Sequence, residues 1–204
     1  MTTSRSERRR RAGRERRARQ ERLAARAVAP DRPLVWRAGR GGRIAGAACY
    51  LLFALYMAHP GPATPGALFF AAWSSLVAAW VCCRLALWRV TADRDGVYVR
   101  RMWSTRFLRW SVISRVDLRH DGVLEFTGPE SPLLTGMFAP PWLSRLTGRS
   151  ESAGEAAADT LTVMAAHEHL RPTAKSPSPT RTGFALWAVP LGLTLLLTTA
   201  LGHL

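Results

Sequence analysis

The pattern of apolar and polar positions divides the chain into a polar N-terminal run, two apolar stretches, an alternating block and a last apolar stretch. The apolar stretches are Ile44 to His59, Gly66 to Cys83 and Gly183 to Leu204. A bilayer core about 30 Å thick takes roughly 20 helical residues to cross. The second and third stretches meet that length. The first reaches it if Arg43 lays its aliphatic stem along the helix and holds its guanidinium at headgroup level. No segment between Arg84 and Thr182 is apolar enough to span. The pattern therefore predicts three transmembrane helices enclosing one water-facing domain: a disordered tail over 1–43, a transmembrane hairpin over 44–87, a domain over 88–170, a linker over 171–182 and a third span over 183–204.

Inside the polar block the period changes from helical to alternating. Val90 and Ala92 alternate with Arg89 and Thr91, Asp95-Gly96 supplies a hairpin turn, and Val97 and Val99 face opposite to Tyr98 and Arg100. Arg106 to Trp110, Ile113 to Leu118 and Val123 to Phe126 continue the series, with Asp121-Gly122 as a second turn. Connections this short imply antiparallel neighbours. Pro129 and Pro132 leave Leu133 to Thr135 as a short edge strand, and Trp142 to Gly148 reads as a loop or one helical turn after Pro140 and Pro141. Helical period returns over Ser152 to Leu170. There Ser152 can cap, Glu155 and Asp159 favour the positive end of the dipole, and Ala157, Leu161, Met164 and Ala165 share a face. Arg171-Pro172 stops that helix. The predicted fold class is an α+β membrane protein, in which a small antiparallel sheet is closed by a C-terminal helix. Its candidate core is Val97, Val99, Trp110 and Ile113.

Within the second span, Phe69, Trp73, Leu76 and Trp80 fall at helical spacing, while Ala71, Ala72, Ser75, Ala78 and Ala79 allow close helix approach. The connector from His59 to Gly66 is rich in Pro and Gly and carries no Lys or Arg, which suits an external loop. Pro190 lies inside the third span, where a membrane helix tolerates it. Cys49, Cys82 and Cys83 all fall within or at the ends of spans, so they read as small packing residues rather than a disulfide framework.

Charge sets the orientation. The chain has 204 residues and a net charge of +15, and Met1 to Arg43 carries 15 Arg against four acidic residues, which is +11 of that total. This run has almost no large apolar residue before Leu23, so it cannot bury a core of its own. Basic residues beside a span favour the cytoplasmic side. Arg37, Arg40, Arg43, Arg84 and Arg89 are the candidate membrane-surface contacts, which puts the N-terminus and the domain in the cytoplasm and Leu204 outside. Arginines at an anionic leaflet contribute about 1 kcal/mol each, so anionic lipids are candidate partners of the tail. Nucleic acid is disfavoured because no aromatic residue interleaves the arginines before Trp36. Within the domain, Arg94, Arg100, Arg101, Arg106, Arg109, Arg115 and Arg119 interleave with five carboxylates and read as a self-neutralising surface rather than an anion pocket.

The run V-T-A-D-R-D-G-V-Y-V-R-R from Val90, followed by R-F-L-R-W-S-V-I-S-R-V from Arg106 and a late helix, resembles the small bacterial PH-like domain membrane proteins of actinobacterial type over about Trp88 to Leu170. The resemblance implies a strongly bent antiparallel sheet capped at one end by the C-terminal helix. The prolines after Phe126 leave little room for the last strands of that pattern.

Catalytic chemistry finds no foothold. His167-Glu168-His169 is the best metal candidate, but residues two apart on a helix do not share a face and nothing completes a ligand set. His120-Asp121 serves a turn. Gly39, Gly41 and Gly42 lack the Lys and Ser or Thr of a phosphate loop. No cofactor or metal is expected and no enzyme. The function read from the sequence is a membrane-anchored interaction module at the cytoplasmic face, holding a protein partner or anionic lipid headgroups. The alternatives are a structural subunit of a membrane complex and a nucleic-acid binder acting through the arginine tail.

Overall fold

The computed structural model describes residues 5–57, 64–128, 132–136, 138, 152–176 and 183–201. Its helices are α1 (Arg5–Arg26), α2 (Arg40–Met57), α3 (Pro65–Leu87), α4 (Ala153–Ala166) and α5 (Ala185–Leu201). One antiparallel sheet runs in the order β1 (Leu34–Arg37), β2 (Arg89–Ala92), β3 (Gly96–Arg100), β4 (Thr105–Arg109). A second runs β5 (Arg115–Leu118), β6 (Leu124–Thr127), β7 (Leu133–Thr135). The predicted Trp142 to Gly148 loop and most of the connector after the first apolar stretch lie outside the described residues.

Alternation gives these strands one buried face. Val90, Val97, Val99, Val116 and Leu124 are fully enclosed, and Leu161 and Met164 of α4 close over them. Trp110 and Ile113 are 3% and 6% exposed, at either end of a 3₁₀ turn that carries the chain from the first sheet to the second. Asp121 accepts from the amide of Val123 at 3.3 Å, and Gly122 adopts φ 82° in the β5–β6 turn, a conformation costly for any residue with a Cβ. Ser152 and Glu155 form a reciprocal capping box at the start of α4. The helix ends at Ala166, earlier than expected, and a 3₁₀ turn spans Glu168–Leu170. Arg171 donates to the carbonyls of Met164 and Ala165 at 3.1 and 3.3 Å, satisfying acceptors that the helix end leaves open.

The N-terminal run departs from the expected disordered tail. Residues 5–26 form α1, which lies against α4, and residues 34–37 form β1, the edge of the first sheet. The reason is electrostatic rather than apolar: Arg16 reaches Asp159 at 2.8 Å, Asp117, and the carbonyl of Val116 at 2.6 Å. The linker also departs from a free connector. Thr173 donates to the carbonyl of Pro30 at 3.0 Å, the Ala174 carbonyl accepts from Arg94 at 3.3 Å, and Ser176 donates to Asp93 at 2.9 Å.

Helices α2, α3 and α5 pack on one another. Small residues make the contacts: Ala71, Ser75, Ala78 and Ala79 of α3 are buried, and a Cβ on Gly46 would sit 3.1 Å from the carbonyl of Cys82. Many large side chains point away, Met57 and Leu195 excepted. Phe69, Trp73, Leu52, Tyr56 and Leu186 are all about 60–75% exposed. Of the three spans expected, α3 alone among the described residues is long and apolar enough to cross a membrane by length and composition. The α5 helix has 17 described residues, and α2 spends its first turn on Arg40, Gly41, Gly42 and Arg43.

Candidate functional site

Where α3 and α5 enter the sheet domain, a cleft of about 230 Å³ opens between the helices, the β3–β4 turn and β7. Among the described residues its walls carry Trp80, Arg84, Trp88, Arg100, Arg101 and Phe184, together with Met102 and the end of β7. The helical period places Trp80 and Arg84 one turn apart at the end of α3, and the Arg84 guanidinium lies 5.4 Å from the Trp80 ring centroid. Trp88 ends the helix in extended conformation, with its ring 4.7 Å from that of Phe138.

Arg100 closes β3, and its guanidinium donates to the carbonyl of Gly183 at 3.5 Å. Arg101 opens the β3–β4 turn, whose carbonyls serve as a cap for α5. Phe184 donates to the carbonyl of Arg101 at 3.2 Å, Ala185 to that of Met102 at 2.7 Å, and Gly183 to that of Trp103 at 3.4 Å. The first amides of a helix have no partner inside it, so these bonds fasten the last helix to the domain. Gly183 is required by the approach, since a Cβ there would lie 2.0 Å from the Met102 carbonyl oxygen.

One buried polar atom in the cleft lacks a partner. Trp88 is 4% exposed, and its indole N–H has no hydrogen-bond partner. Arg101 stands exposed at the rim. Buried donors are nearly always satisfied, so this N–H is an exception in the wall of the cleft.

Of the five arginines expected at a membrane surface, Arg37, Arg40 and Arg43 are exposed, and Arg84 and Arg89 are half-buried. Arg37 and Arg89 sit opposite each other across β1 and β2, and Arg89 donates to the Thr91 hydroxyl at 3.2 Å. Arg84 alone of the five lines the cleft. The domain charges pair in part, as the sequence suggests: Lys175 with Asp95 at 2.8 Å, Arg115 with Asp117 at 2.9 Å, Arg119 with Asp121 at 3.4 Å. Arg100 and Arg101 line the cleft. Sequence reasoning missed the site because its walls come from segments up to a hundred residues apart. The doublet Arg100-Arg101 and the Trp80, Arg84, Trp88 spacing were the only signals.

A second charged node lies between α1, α4 and β5. Asp159, 1% exposed, accepts from Arg16 and from Gln20, each at 2.8 Å, and lies 3.4 Å from Arg19. Burial works against the Arg16 charge, but the bonds to Asp159 and Asp117 outweigh it, and its pKa is raised. His167 and His169 lie past the end of α4 and meet edge to face at 5.8 Å, both exposed. Among the described residues no group of three or more His, Cys, Asp or Glu could hold a metal ion.

Two antiparallel sheets closed by α4 make an α+β domain. The family model for the bacterial PH domain matches residues 88–166, from the residue before β2 to the end of α4. No curated protein and no solved structure matches the chain. The matched segment leaves out β1, which the chain supplies from before the helical hairpin. Domains of this kind are generally non-catalytic interaction modules for proteins or lipids.

Proposed function

We propose that this chain is a membrane-embedded PH-like interaction module whose domain lies at the cytoplasmic face and holds a protein partner or anionic lipid headgroups beside the bilayer, without catalysing a reaction. One observation carries the reading: three helices bury small residues such as Ala71, Ser75, Ala78 and Ala79 against each other and leave many large apolar side chains, among them Leu52, Tyr56, Phe69, Trp73, Leu186 and Leu197, exposed, with Met57 and Leu195 buried. A water-facing bundle has the opposite arrangement, whereas lipid favours this one. The pairing of β1 with β2 supports an even number of crossings by the α2–α3 hairpin, because it fixes Arg37 beside Arg89 on one side. If α3 crosses, α2 crosses with it, helped by Arg40 and Arg43 at the headgroup level. The α5 helix leaves the same end of the domain and runs along α3, which favours an external C-terminus. The arginines of the flanks favour the cytoplasm for the domain.

The test is a topology reporter placed after Glu125 and, separately, at Leu204, in cells. Cytoplasmic signal at the first and external signal at the second is the expected result. External signal at Glu125 would overturn the orientation, and release of the protein from membranes by an alkaline carbonate wash would overturn the embedding.

A further inference from the structure

We propose that the β3–β4 turn, residues 101–104, is a membrane-surface anchor that sets the Trp103 indole in the headgroup layer of the leaflet the domain faces. The inference deepens the membrane reading and rests on it. It adds a contact between the sheet domain itself and phospholipid, separate from the helices. Trp103 is 72% exposed, more than any other tryptophan among the described residues. The turn is closed by the Arg101 amide, which donates to the Ser104 carbonyl at 2.9 Å. Such a turn has no need of an indole, and small or polar residues are the usual choice there.

Two observations fix the depth of the turn. The first is register. β2 starts just after α3 ends at Leu87, and β3 runs antiparallel to β2, so the end of β3 and the turn that follows lie at the helix end of the sheet. Arg37, the last residue of β1 before α2, lies at that end as well. The second is capping. The amides of Gly183, Phe184 and Ala185 donate to the carbonyls of Trp103, Arg101 and Met102, which ties the turn to the level of the first residues of α5. At that level Leu186 and Trp187 are 66% and 59% exposed. With α5 entering the bilayer at Ala185, the Trp103 and Trp187 indoles both stand at headgroup depth. Tryptophan favours that layer, because its ring is apolar and its N–H stays wet.

Phospholipid is the occupant because the turn is bonded to a helix whose exposed Leu186, Trp187, Val189 and Leu193 continue into the bilayer. A protein partner would have to reach the indole through the headgroups. The anchor also has a mechanical consequence. The α2–α3 hairpin holds β1 and β2 at one side of the first sheet, and a Trp103 contact holds β3 and β4 at the other, so the sheet cannot rock on the bilayer.

The test uses the full chain labelled with fluorotryptophan and reconstituted in phosphatidylcholine vesicles. The fluorine resonances that vanish in Trp103→Phe and in Trp73→Phe identify the two residues. A phosphatidylcholine bearing a nitroxide near the top of its acyl chain and a water-soluble gadolinium chelate are then added in separate samples. The Trp103 resonance should lose several times more intensity to the lipid nitroxide than to the chelate. An equal or larger loss to the chelate puts the indole in water, and protection from both puts it against protein, a second copy included. Either result overturns the anchor. Trp73, 62% exposed on α3, separates the two proposals. Loss of Trp73 but not of Trp103 to the lipid nitroxide overturns only the anchor, whereas a Trp73 resonance indifferent to that lipid overturns the membrane reading and the anchor with it.

Discussion

Asp93 is a carboxylate with 1% exposure, and backbone donors hold it there. One oxygen accepts from the amides of Asp95 and Gly96 at 3.0 and 3.1 Å, the other from Ser176 at 2.9 Å, and its carbonyl takes the Trp110 indole N–H at 3.0 Å. This one residue joins the β2–β3 turn, the core tryptophan and the segment leading to α5. Asp93→Ala leaves three amides without their acceptor and should cost about 3 kcal/mol, read as a lower midpoint in urea. Asp93→Asn keeps one oxygen over the turn and should cost less. Next to it, burial and then the charges of Asp93 and Asp95 push the Tyr98 phenol above its usual value of 10.0. The unfolded chain therefore loses this proton first. The associated stability is present in full below pH 10.0 and is lost as pH rises through the higher folded value. Alkaline unfolding curves of the parent and of Tyr98→Phe should differ only in that range.

At the scale of elements, α1 depends on ion pairing because it has little apolar surface to bury. Arg16→Ala leaves the carboxylate of Asp159 without its main partner in a site that is 1% exposed. The helix should then detach and let water reach Asp159, rather than force the domain open. Amide exchange over residues 5–26 should speed up by roughly tenfold or more, while β2 and β3 stay protected. Uniform deprotection of the domain would contradict this. The β1 strand has another role. It covers the outer edge of β2, and removing residues 1–38 would leave that ladder open to a second chain. The truncated protein should self-associate in size-exclusion chromatography, and a monomer would show that β1 is dispensable as an edge cover.

The whole molecule is held together at the seam between sheet domain and helices. The β3–β4 turn supplies carbonyls to the start of α5, β1 and β2 clamp both ends of the α2–α3 hairpin, and Tyr50 of α2 meets Thr194 of α5. Gly183→Val pushes a side chain into the Met102 carbonyl and should break the first of these ties. Exchange should rise at the start of α5, where Phe184 and Ala185 lose their carbonyl acceptors. Unchanged exchange at residues 184–188 would mean that the turn does not hold the helix.

Local pattern determined what local physics decides. Period-two alternation marked β2 to β6 within a residue or two, turn glycines marked their connections, and the Ser152 to Glu155 spacing marked the start of α4. Large and small residues on α3 already separated its outer from its packed face. Tertiary structure alone decided the rest, because those features depend on partners distant in sequence. β1 is four residues without a turn partner nearby, and its ladder lies on the far side of a helical hairpin. α1 looks like a solvated arginine run until Asp117 and Asp159 are brought beneath it by the folding of β5 and α4. The cleft exists only once the end of α3, the β3–β4 turn and the start of α5 converge, since charge in a sequence carries a sign and folding alone gives it a neighbour.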